Sequence, residues 1–267
     1  RQRSRPLGDI LKETRRLLDS GAREINLIAQ ESTRYGADLN PPGHLSTLLS
    51  ALAELVEETP KDRRPWIRFL YGHPESLSEE TIRVVGEQPQ VCSYFDLPIQ
   101  HASRRVLQAM GRRYGPEKIR ETAERIRSVL PGAALRTTVI VGFPGESEAD
   151  FSQLLDLVSE IRFDHLGVFL YSDADDLPSH RLENQVGEAV AHERYHRLMA
   201  LQAEMSRNNN RKHLGQRLPV LVEERIDEQL FAGRTEFQAP EVDGITYIRS
   251  ASLSTGRFVR TRIVETD

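Results

Sequence analysis

The sequence predicts an α/β protein with parallel strands, followed by a small antiparallel β-barrel. Between residues 7 and 172, segments with helical periodicity alternate with five short apolar runs. Such alternation favours parallel strands joined by helical crossovers. The runs are nearly continuous in Ile, Leu, Val and Phe, which is typical of strands buried on both faces. After Asp173 the pattern changes, and one long helical segment precedes four short strand-like segments separated by turn residues.

Each predicted element has its own local signal. Apolar residues at near-helical spacing stop at Gly21, Ser78 and Ser147 are suited to cap helices, and Pro116 is suited to open one. The predicted helices cover residues 7–21, 44–58, 78–87, 103–113, 115–130, 146–162 and 190–215. The predicted strands cover residues 24–33, 66–74, 94–100, 135–143, 165–172, 217–225, 229–237, 245–251 and 256–265.

Length and composition limit the possible architectures. The chain has 267 residues, of which 38% are hydrophobic, so one large domain with a sizeable core and one small domain both fit. We place the division between residues 1–207 and 208–267. The sequence contains no apolar run near the roughly 20 residues of a membrane span, so we expect no membrane partner.

Charge and cysteine content exclude several functional classes. The formal net charge is −4, whereas general nucleic-acid binders usually carry a basic excess. Cys92 is the single cysteine, which rules out an internal disulfide and an all-cysteine metal site within this chain. A small buried hydrophobe is the expected role for that cysteine. These features fit a cytoplasmic protein.

The stretch LRTTVIVGFPGESEADF ends an apolar strand on two glycines and a proline. Gly142 and Gly145 allow close approach of backbone to a ligand or a positive φ angle, and Pro144 fixes the turn. Glu146 and Glu148 suit the positive end of the following helix. Two interpretations stay open: a well-formed strand-to-helix turn, or a loop that binds a ligand.

Polar residues also follow the other strands, where α/β proteins bind their ligands. Gln30 and Glu31 follow the first strand, and either a capped helix start or a binding role explains them. Gln100 and Ser103 follow the third strand, where Ser103 can simply cap a helix. Arg136 lies inside an apolar strand, and a buried guanidinium requires a carboxylate or a similar acceptor.

Four segments of the sequence together resemble the radical S-adenosylmethionine methylthiotransferases. They are EINLIAQESTRYGADL, RFLYGHP, YFDLPIQHASRRVLQAMGRRY and LRTTVIVGFPGESEADF. The resemblance implies a radical SAM core formed by a partial, open TIM-like barrel of parallel strands. It also implies that the C-terminal barrel is a TRAM domain, an OB-like module. In this family a [4Fe-4S] cluster held by Cys-x3-Cys-x2-Cys cleaves S-adenosylmethionine reductively, and the resulting 5′-deoxyadenosyl radical abstracts hydrogen from an unactivated carbon.

The resemblance also implies contacts to S-adenosylmethionine. Gln30 and Glu31 match positions that contact its aminoacyl end. Gln100 and Ser103 match the ribose side. Arg136 would suit the methionine carboxylate, because charge-assisted pairing explains a buried cation in an apolar strand.

The remaining implied contacts concern the adenine ring. Val141, Gly142 and Phe143 resemble a platform of backbone and stacking groups for the base. Phe169 and Tyr171 would close the rim of the site. No catalytic side chain and no metal ligand is assigned in this chain.

The cluster cysteines of the family are missing from the sequence. The opening RQRSRP resembles the basic segment that follows the third cluster cysteine, so we expect a fragment without its first strand, the cluster loop and the amino-terminal domain. Two [4Fe-4S] clusters are expected in the full-length parent and none here, because such clusters need several thiolates. We therefore expect the chain alone to be inactive, and its parent to need an electron donor.

The branch of the family that the motifs resemble acts on the β-carbon of an aspartate in a small-subunit ribosomal protein. The segment 215–267 contains seven arginines and nine acidic residues, for a net charge of −2. That charge suits a basic protein better than phosphate, so a tRNA partner is disfavoured. A tRNA adenosine methylthiotransferase and a non-catalytic RNA- or ribosome-binding module remain as alternatives.

Overall fold

The computed structural model describes residues 2–267. Its α-helices are α1 (Leu7–Asp19), α2 (Leu45–Glu57), α3 (Glu79–Glu87), α4 (Arg104–Ala109), α5 (Pro116–Val129), α6 (Glu148–Ile161) and α7 (Glu188–Arg211). Its strands are β1 (Glu24–Leu27), β2 (Trp66–Phe69), β3 (Tyr94–Asp96), β4 (Ala134–Val141), β5 (His165–Leu170), β6 (Arg217–Arg225), β7 (Leu230–Thr235), β8 (Thr246–Arg249) and β9 (Phe258–Arg262). Short 3-10 helices cover Ser32–Arg34, Lys61–Arg63 and Pro178–Arg181.

The first five strands run parallel and lie in chain order as one layer made of two sheets, β1-β2 and β3-β4-β5. β1 pairs with β2, and β3 pairs with β4, which pairs with β5. The amide of Gly72 donates to the carbonyl of Asp96 at 2.8 Å, which brings the end of β2 beside β3. Among residues 2–267 no strand pairing joins β5 to β1, so the barrel is open. This architecture confirms the predicted open barrel of parallel strands.

Side chains alternate between the two faces of this layer. In β4, Leu135, Val139 and Val141 are buried in the core that the outer helices cover. Arg136 and Thr138 lie on the opposite face, toward the space that the strands enclose, which we call the lumen. Because the strand period is two, every second residue of β4 faces this lumen.

The predicted helix starts are confirmed at several positions. The Ser78 hydroxyl accepts a hydrogen bond from the amide of Thr81, and Pro116 is the first residue of α5. Ser147 and Asp150 form a reciprocal capping box at the start of α6. Helices α3, α5 and α6 therefore begin at the residues that the sequence indicates.

The C-terminal unit is a curled antiparallel sheet in the order β8-β7-β6-β9, and it corresponds to the predicted small barrel. A bulge in β6 between Val222 and Glu224 bends the sheet. The predicted division after residue 207 falls in the last turn of α7. None of the described helices combines the length and apolar character of a membrane span.

The C-terminal unit packs against the amino-terminal ends of the barrel strands. The rings of Trp66 and Phe258 meet edge to face at 4.7 Å between centroids, and Cys92 and Tyr94 lie in the same buried cluster. Burial raises the pKa of the Cys92 thiol. Cys92 is therefore a packing residue, as expected. Beside this cluster, residues 236–243, which we call the inserted loop, reach the lumen through the carbonyl of Phe237 and the side chain of Asp243.

Candidate functional site

Arg136 is the central cation of the lumen. Its Nη1 donates to Asp96 Oδ1 at 2.8 Å and to Thr138 Oγ1 at 3.3 Å, and its Nε lies 3.4 Å from Asp243 Oδ1. Burial disfavours the charged guanidinium, but the attraction of Asp96 and Asp243 outweighs burial and raises the pKa of Arg136. The sequence-based expectation that this buried cation has carboxylate partners is confirmed.

The inserted loop forms the inner end of the lumen. Asp243 Oδ2 accepts hydrogen bonds from the Tyr94 hydroxyl at 2.6 Å and from the Ala239 amide at 2.8 Å. The carbonyl of Phe237 lies 2.7 Å from His165 Nε2. Burial, followed by the negative charge of Asp243, raises the pKa of Tyr94. The loop thus contacts β3, β4 and β5 through polar groups.

A recess lies above Arg136, at Gly167 of β5. A Cβ atom at residue 167 would lie 3.5 Å from Thr138 Oγ1, 3.5 Å from Phe169 Cε2 and 3.6 Å from Arg136 Nη2. Glycine therefore leaves a small space bordered by the guanidinium, a hydroxyl and an aromatic ring, and a methyl group there would touch all three. Phe169 is 58% exposed although it is a large apolar residue. The outer part of the lumen is consequently open and partly apolar.

Two buried polar atoms in the lumen have no hydrogen-bond partner within the part of the chain that the structure describes. They are Asn26 Oδ1, an acceptor, and Arg68 Nη2, a donor. Asn26 and Arg68 stand opposite each other in the register of β1 and β2. Buried polar atoms normally have partners, so this pair is suited to a polar ligand or an ordered water.

Glu31 lies at the rim beside the end of β2. Its Oε1 accepts a hydrogen bond from Ser76 at 2.7 Å, and it lines a cleft of about 290 Å³. His73, Arg112 and Arg113 line the same cleft. Gln30 is exposed next to Glu31. Both predicted residues therefore lie at the rim, at the opposite edge of the strand layer from β5.

The Gly-Phe-Pro-Gly loop is fixed by a buried carboxylate. Gly142 has a φ of 79°, and a Cβ there would lie 2.7 Å from Ala191 Cβ, so both backbone and space require glycine. Glu146 accepts a hydrogen bond from the Gly142 amide, and its Oε2 lies 3.1 Å from Arg194 Nη1. The loop is therefore held from beneath by α7.

His101 completes this buried network. Its Nδ1 accepts from the Ser103 amide at 2.9 Å, so a neutral ring carries its proton on Nε2, which lies 3.2 Å from Glu146 Oε1. The Ser103 hydroxyl donates to Asp150 Oδ1 at 2.5 Å. Both side chains therefore connect the end of β3 to the start of α6.

The other predicted rim residues meet on one side of the lumen. Val141 is fully buried, so only its backbone is available to a ligand. The rings of Phe143 and Tyr171 meet edge to face at 5.2 Å, and the Tyr171 hydroxyl donates to Asp173 at 3.0 Å. Gln100 has a φ of 67° and exchanges backbone hydrogen bonds with β4.

Asp150 provides a pH-dependent prediction. Burial would raise the pKa of Asp150, but hydrogen bonds from Ser103, Ser147 and Arg105 outweigh burial and hold the pKa well below its usual range. A carboxylate of this kind stabilises the fold above its unfolded pKa of about 3.9, and that stability is lost as the pH falls through the lower folded value. Asp150→Asn is expected to lower the free energy of unfolding by about 1–3 kcal/mol near neutral pH.

Urea unfolding near neutral pH and at about pH 3 checks this expectation, since the unfolded chain is by then largely protonated. The difference between wild type and Asp150→Asn should shrink in acid. Asp156→Asn, an exposed change in the same helix, is the control and should show little difference at either pH. An Asp150→Asn difference that grows in acid would contradict the assignment.

The lumen suits S-adenosylmethionine better than it suits an iron–sulfur cluster. The guanidinium of Arg136 beside Gly167 fits a carboxylate, and the unpartnered Asn26 Oδ1 and Arg68 Nη2 on β1 and β2 fit further polar groups. Iron–sulfur clusters need several thiolates, and Cys92 is buried elsewhere. Within residues 2–267 no group of three or more His, Cys, Asp or Glu side chains is arranged to hold a metal ion.

Comparison with known proteins agrees with this geometry. The model of the Radical SAM superfamily matches residues 1–158, which is more than half of the chain. The chain belongs to the radical SAM superfamily. A TRAM domain model matches residues 214–267. Members of the radical SAM superfamily use S-adenosylmethionine with an iron–sulfur cluster.

Curated relatives match both units of this radical SAM chain. The ribosomal protein uS12 methylthiotransferase RimO of Desulfosudis oleivorans is 48% identical over 98% of this chain and 59% of that protein. RimO of Clostridioides difficile is 45% identical over 98% of this chain and 58% of that protein. The chain thus spans somewhat over half the length of the relatives it matches. These relatives confirm the resemblance to the methylthiotransferases.

Solved structures support the radical SAM fold alone. Streptococcus suis SuiB, bound to its precursor peptide SuiA, aligns with a TM-score of 0.51 at 16% identity, over 76% of this chain and 40% of that chain. Coproporphyrinogen III oxidase (HemN) from Escherichia coli, described as a radical SAM enzyme, aligns with a TM-score of 0.50 at 12% identity, over 72% of this chain and 51% of that chain.

Several residues of the site were not predicted. Asp96 has a signal in the sequence, because it follows the alternation of strand β3 and lies opposite Arg136 in the register. Asp243 had none, since a single acidic residue in a distant turn gives no indication of its partners. The sequence pattern of Glu146 indicates a helix-end charge, whereas the structure buries it beneath the loop.

Proposed function

We propose that this chain is part of a radical SAM methylthiotransferase that adds a methylthio group to the β-carbon of an aspartate in ribosomal protein uS12. The observation that carries the proposal is that RimO proteins match 98% of the chain across both units. Because the chain covers 59% of the first of these relatives, the reaction is assigned to the complete enzyme. A reductant and iron–sulfur clusters belong to the same proposal.

The residues of this chain bind and orient the cofactor. Bound S-adenosylmethionine supplies the radical that activates a carbon–hydrogen bond. Arg136 directs Nη2 toward the recess at Gly167 and would pair with the carboxylate. The site residues proposed on the family resemblance are Gln30, Glu31, Gln100, Ser103, Arg136, Val141, Gly142, Phe143, Phe169 and Tyr171.

The domain division and the surroundings of the enzyme are proposals of the same kind. We propose residues 1–207 as the radical SAM core and residues 208–267 as the TRAM domain. A cytoplasmic location fits an enzyme that acts on a ribosomal protein. We propose that the TRAM domain presents the ribosomal protein to the barrel.

One observation favours the alternative of a tRNA substrate. Arg217, Arg260 and Arg262 are exposed on neighbouring strands of the TRAM sheet, and Arg217 stands opposite Arg262 in the register. Part of the acidic charge of this domain faces the barrel, because Glu236 accepts a hydrogen bond from the Ser93 amide and Asp243 lies beside Arg136. The outer surface is therefore less acidic than the net charge of −2 indicates.

Cofactor binding to the chain and substrate modification by the complete enzyme test the proposal together. Gly167→Val adds methyl groups to the recess, while its Cβ makes only ordinary contacts, so the fold should be retained. Overfilling of this kind should weaken S-adenosylmethionine binding about a hundredfold by calorimetry, equivalent to about 2.7 kcal/mol. Gly132→Val, at a position with open space, is the matched control.

The complete enzyme, with its clusters reconstituted anaerobically, is then incubated with uS12 or with tRNA at matched salt. Mass spectrometry should find one methylthio group on an aspartate of uS12 and none on tRNA. Modification of tRNA alone would select the alternative substrate. Equal cofactor binding by wild type and Gly167→Val would remove the recess from the site.

A further inference from the structure

Asp243 connects the TRAM domain to the proposed carboxylate site. Its side chain is only 2% exposed, although it lies in a turn of the C-terminal sheet. It contacts Tyr94, Arg136 and His165 on three successive barrel strands, with distances of 2.6 Å, 3.4 Å and 3.6 Å. A residue whose only role was to join the two units would not need to reach the guanidinium of the lumen.

The contacts of Arg136 divide its guanidinium into two parts. Nη1 is occupied by Asp96 and Thr138, and Nε faces Asp243. Nη2 is the nitrogen beside the recess at Gly167. A ligand carboxylate in that recess would therefore be the third anion around one cation.

Electrostatics make the third anion sensitive to Asp243. Unit charges about 7 Å apart interact appreciably at the effective dielectric constant of about 20 that describes protein sites. Asp96 orients Nη1 by a short hydrogen bond, so it holds the guanidinium in place without help from Asp243. Asp243 therefore acts on a ligand carboxylate in two ways. Its negative charge repels the ligand carboxylate, and it offsets part of the positive charge of Arg136.

We propose that Asp243, supplied by the TRAM domain, sets how strongly the barrel prefers S-adenosylmethionine over a ligand that lacks its carboxylate. The inference rests on the proposed function and deepens it. Asp243 acts through Arg136 and is a positioning and charge-setting residue. Displacement of the inserted loop would strengthen the carboxylate site, so the TRAM domain tunes cofactor affinity.

The test compares S-adenosylmethionine with decarboxylated S-adenosylmethionine, which differ in the carboxylate alone. Calorimetry gives the ratio of their dissociation constants for each variant of the full chain. Asp243→Asn retains the shape and removes the charge, and it should increase the preference for the carboxylate about tenfold. Glu241→Gln removes the same charge from the exposed end of this turn and should leave the ratio unchanged.

Two further variants separate charge from folding. Asp243→Glu keeps the charge and should restore a ratio within about twofold of wild type. Asp243→Ser, a smaller neutral residue, replaces Asp243→Asn if the latter does not fold, and the same increase is expected. Urea unfolding of each variant shows how much stability the contacts with Tyr94 and Ala239 contribute, and that loss alone should not change the ratio.

The outcomes distinguish the two proposals. An unchanged ratio in folded Asp243→Asn or Asp243→Ser, with wild type still preferring S-adenosylmethionine, overturns the role of Asp243 and leaves the proposed function intact. A wild type that binds both ligands equally removes the carboxylate role of Arg136, and both proposals about this site then fall. The inference is supported only if the neutral variants Asp243→Asn and Asp243→Ser show a larger preference for S-adenosylmethionine than wild type does.

Discussion

Arg136→Met is expected to lower the free energy of unfolding by about 3–5 kcal/mol, because it leaves buried carboxylates without their cation. Asp96 and Asp243 both lose a partner, while their hydrogen bonds to the Tyr71 amide and the Tyr94 hydroxyl remain. Methionine fills most of the space of the arginine stem, so the loss reflects charge more than packing. Urea unfolding followed by circular dichroism measures it.

The matched control is Arg260→Met, which removes an exposed arginine from strand β9. Exposed charges contribute about 0–1 kcal/mol, so this variant should unfold close to wild type. Arg136→Met should also bind S-adenosylmethionine much more weakly, whereas Arg260→Met should not. If both variants unfolded at the same urea concentration, the charge network in the lumen would not stabilise the protein.

Glu146→Gln is the second change with a large expected effect, also about 3–5 kcal/mol, because it leaves the buried guanidinium of Arg194 without its nearest charge partner. The side-chain amide of the glutamine would also place an N–H donor against Arg194 or His101, which are themselves hydrogen-bond donors. The loop at Gly142 should loosen, and its amide protons should exchange faster with solvent. Unfolding and hydrogen exchange measure the two consequences.

Glu148→Gln provides the comparison, because Glu148 lies 3.6 Å from the same guanidinium but is 63% exposed. A surface carboxylate of this kind should contribute about 0–1 kcal/mol. Equal losses from the two substitutions would show that burial of Glu146 does not matter to the stability of the loop.

The regular elements could be predicted because their signals are local. The capping box of Ser147 and Asp150, the N-cap at Ser78 and the proline that opens α5 all act within a few residues. The alternation of helices and strands was sufficient for the parallel layer. The presence of a carboxylate partner for Arg136 also followed from the sequence, since an unpaired buried guanidinium is too costly.

The identity of that partner could not be predicted in full. Asp96 lies on the neighbouring strand and was accessible through strand alternation, but Asp243 reaches Arg136 only because the two units pack together. Ser103 shows the opposite case. Its type suggested a cap or a ligand contact, and the structure gives its hydroxyl to Asp150. Pairings between distant segments depend on tertiary packing and have no local signal.

The inserted loop has a consequence for how the protein is made. A chain leaving the ribosome presents β1–β5 well before residues 236–243, so Arg68 Nη1 and Arg136 Nε first face water where the carbonyl of Glu236 and the carboxylate of Asp243 later lie. The nascent barrel can assemble its helices and strands, yet its electrostatic balance is completed only once the later segment has been translated and has docked. On the proposal that Asp243 sets the strength of the carboxylate site, cofactor affinity is linked to a finished polypeptide, and a prematurely terminated product would hold its ligand differently from the mature one.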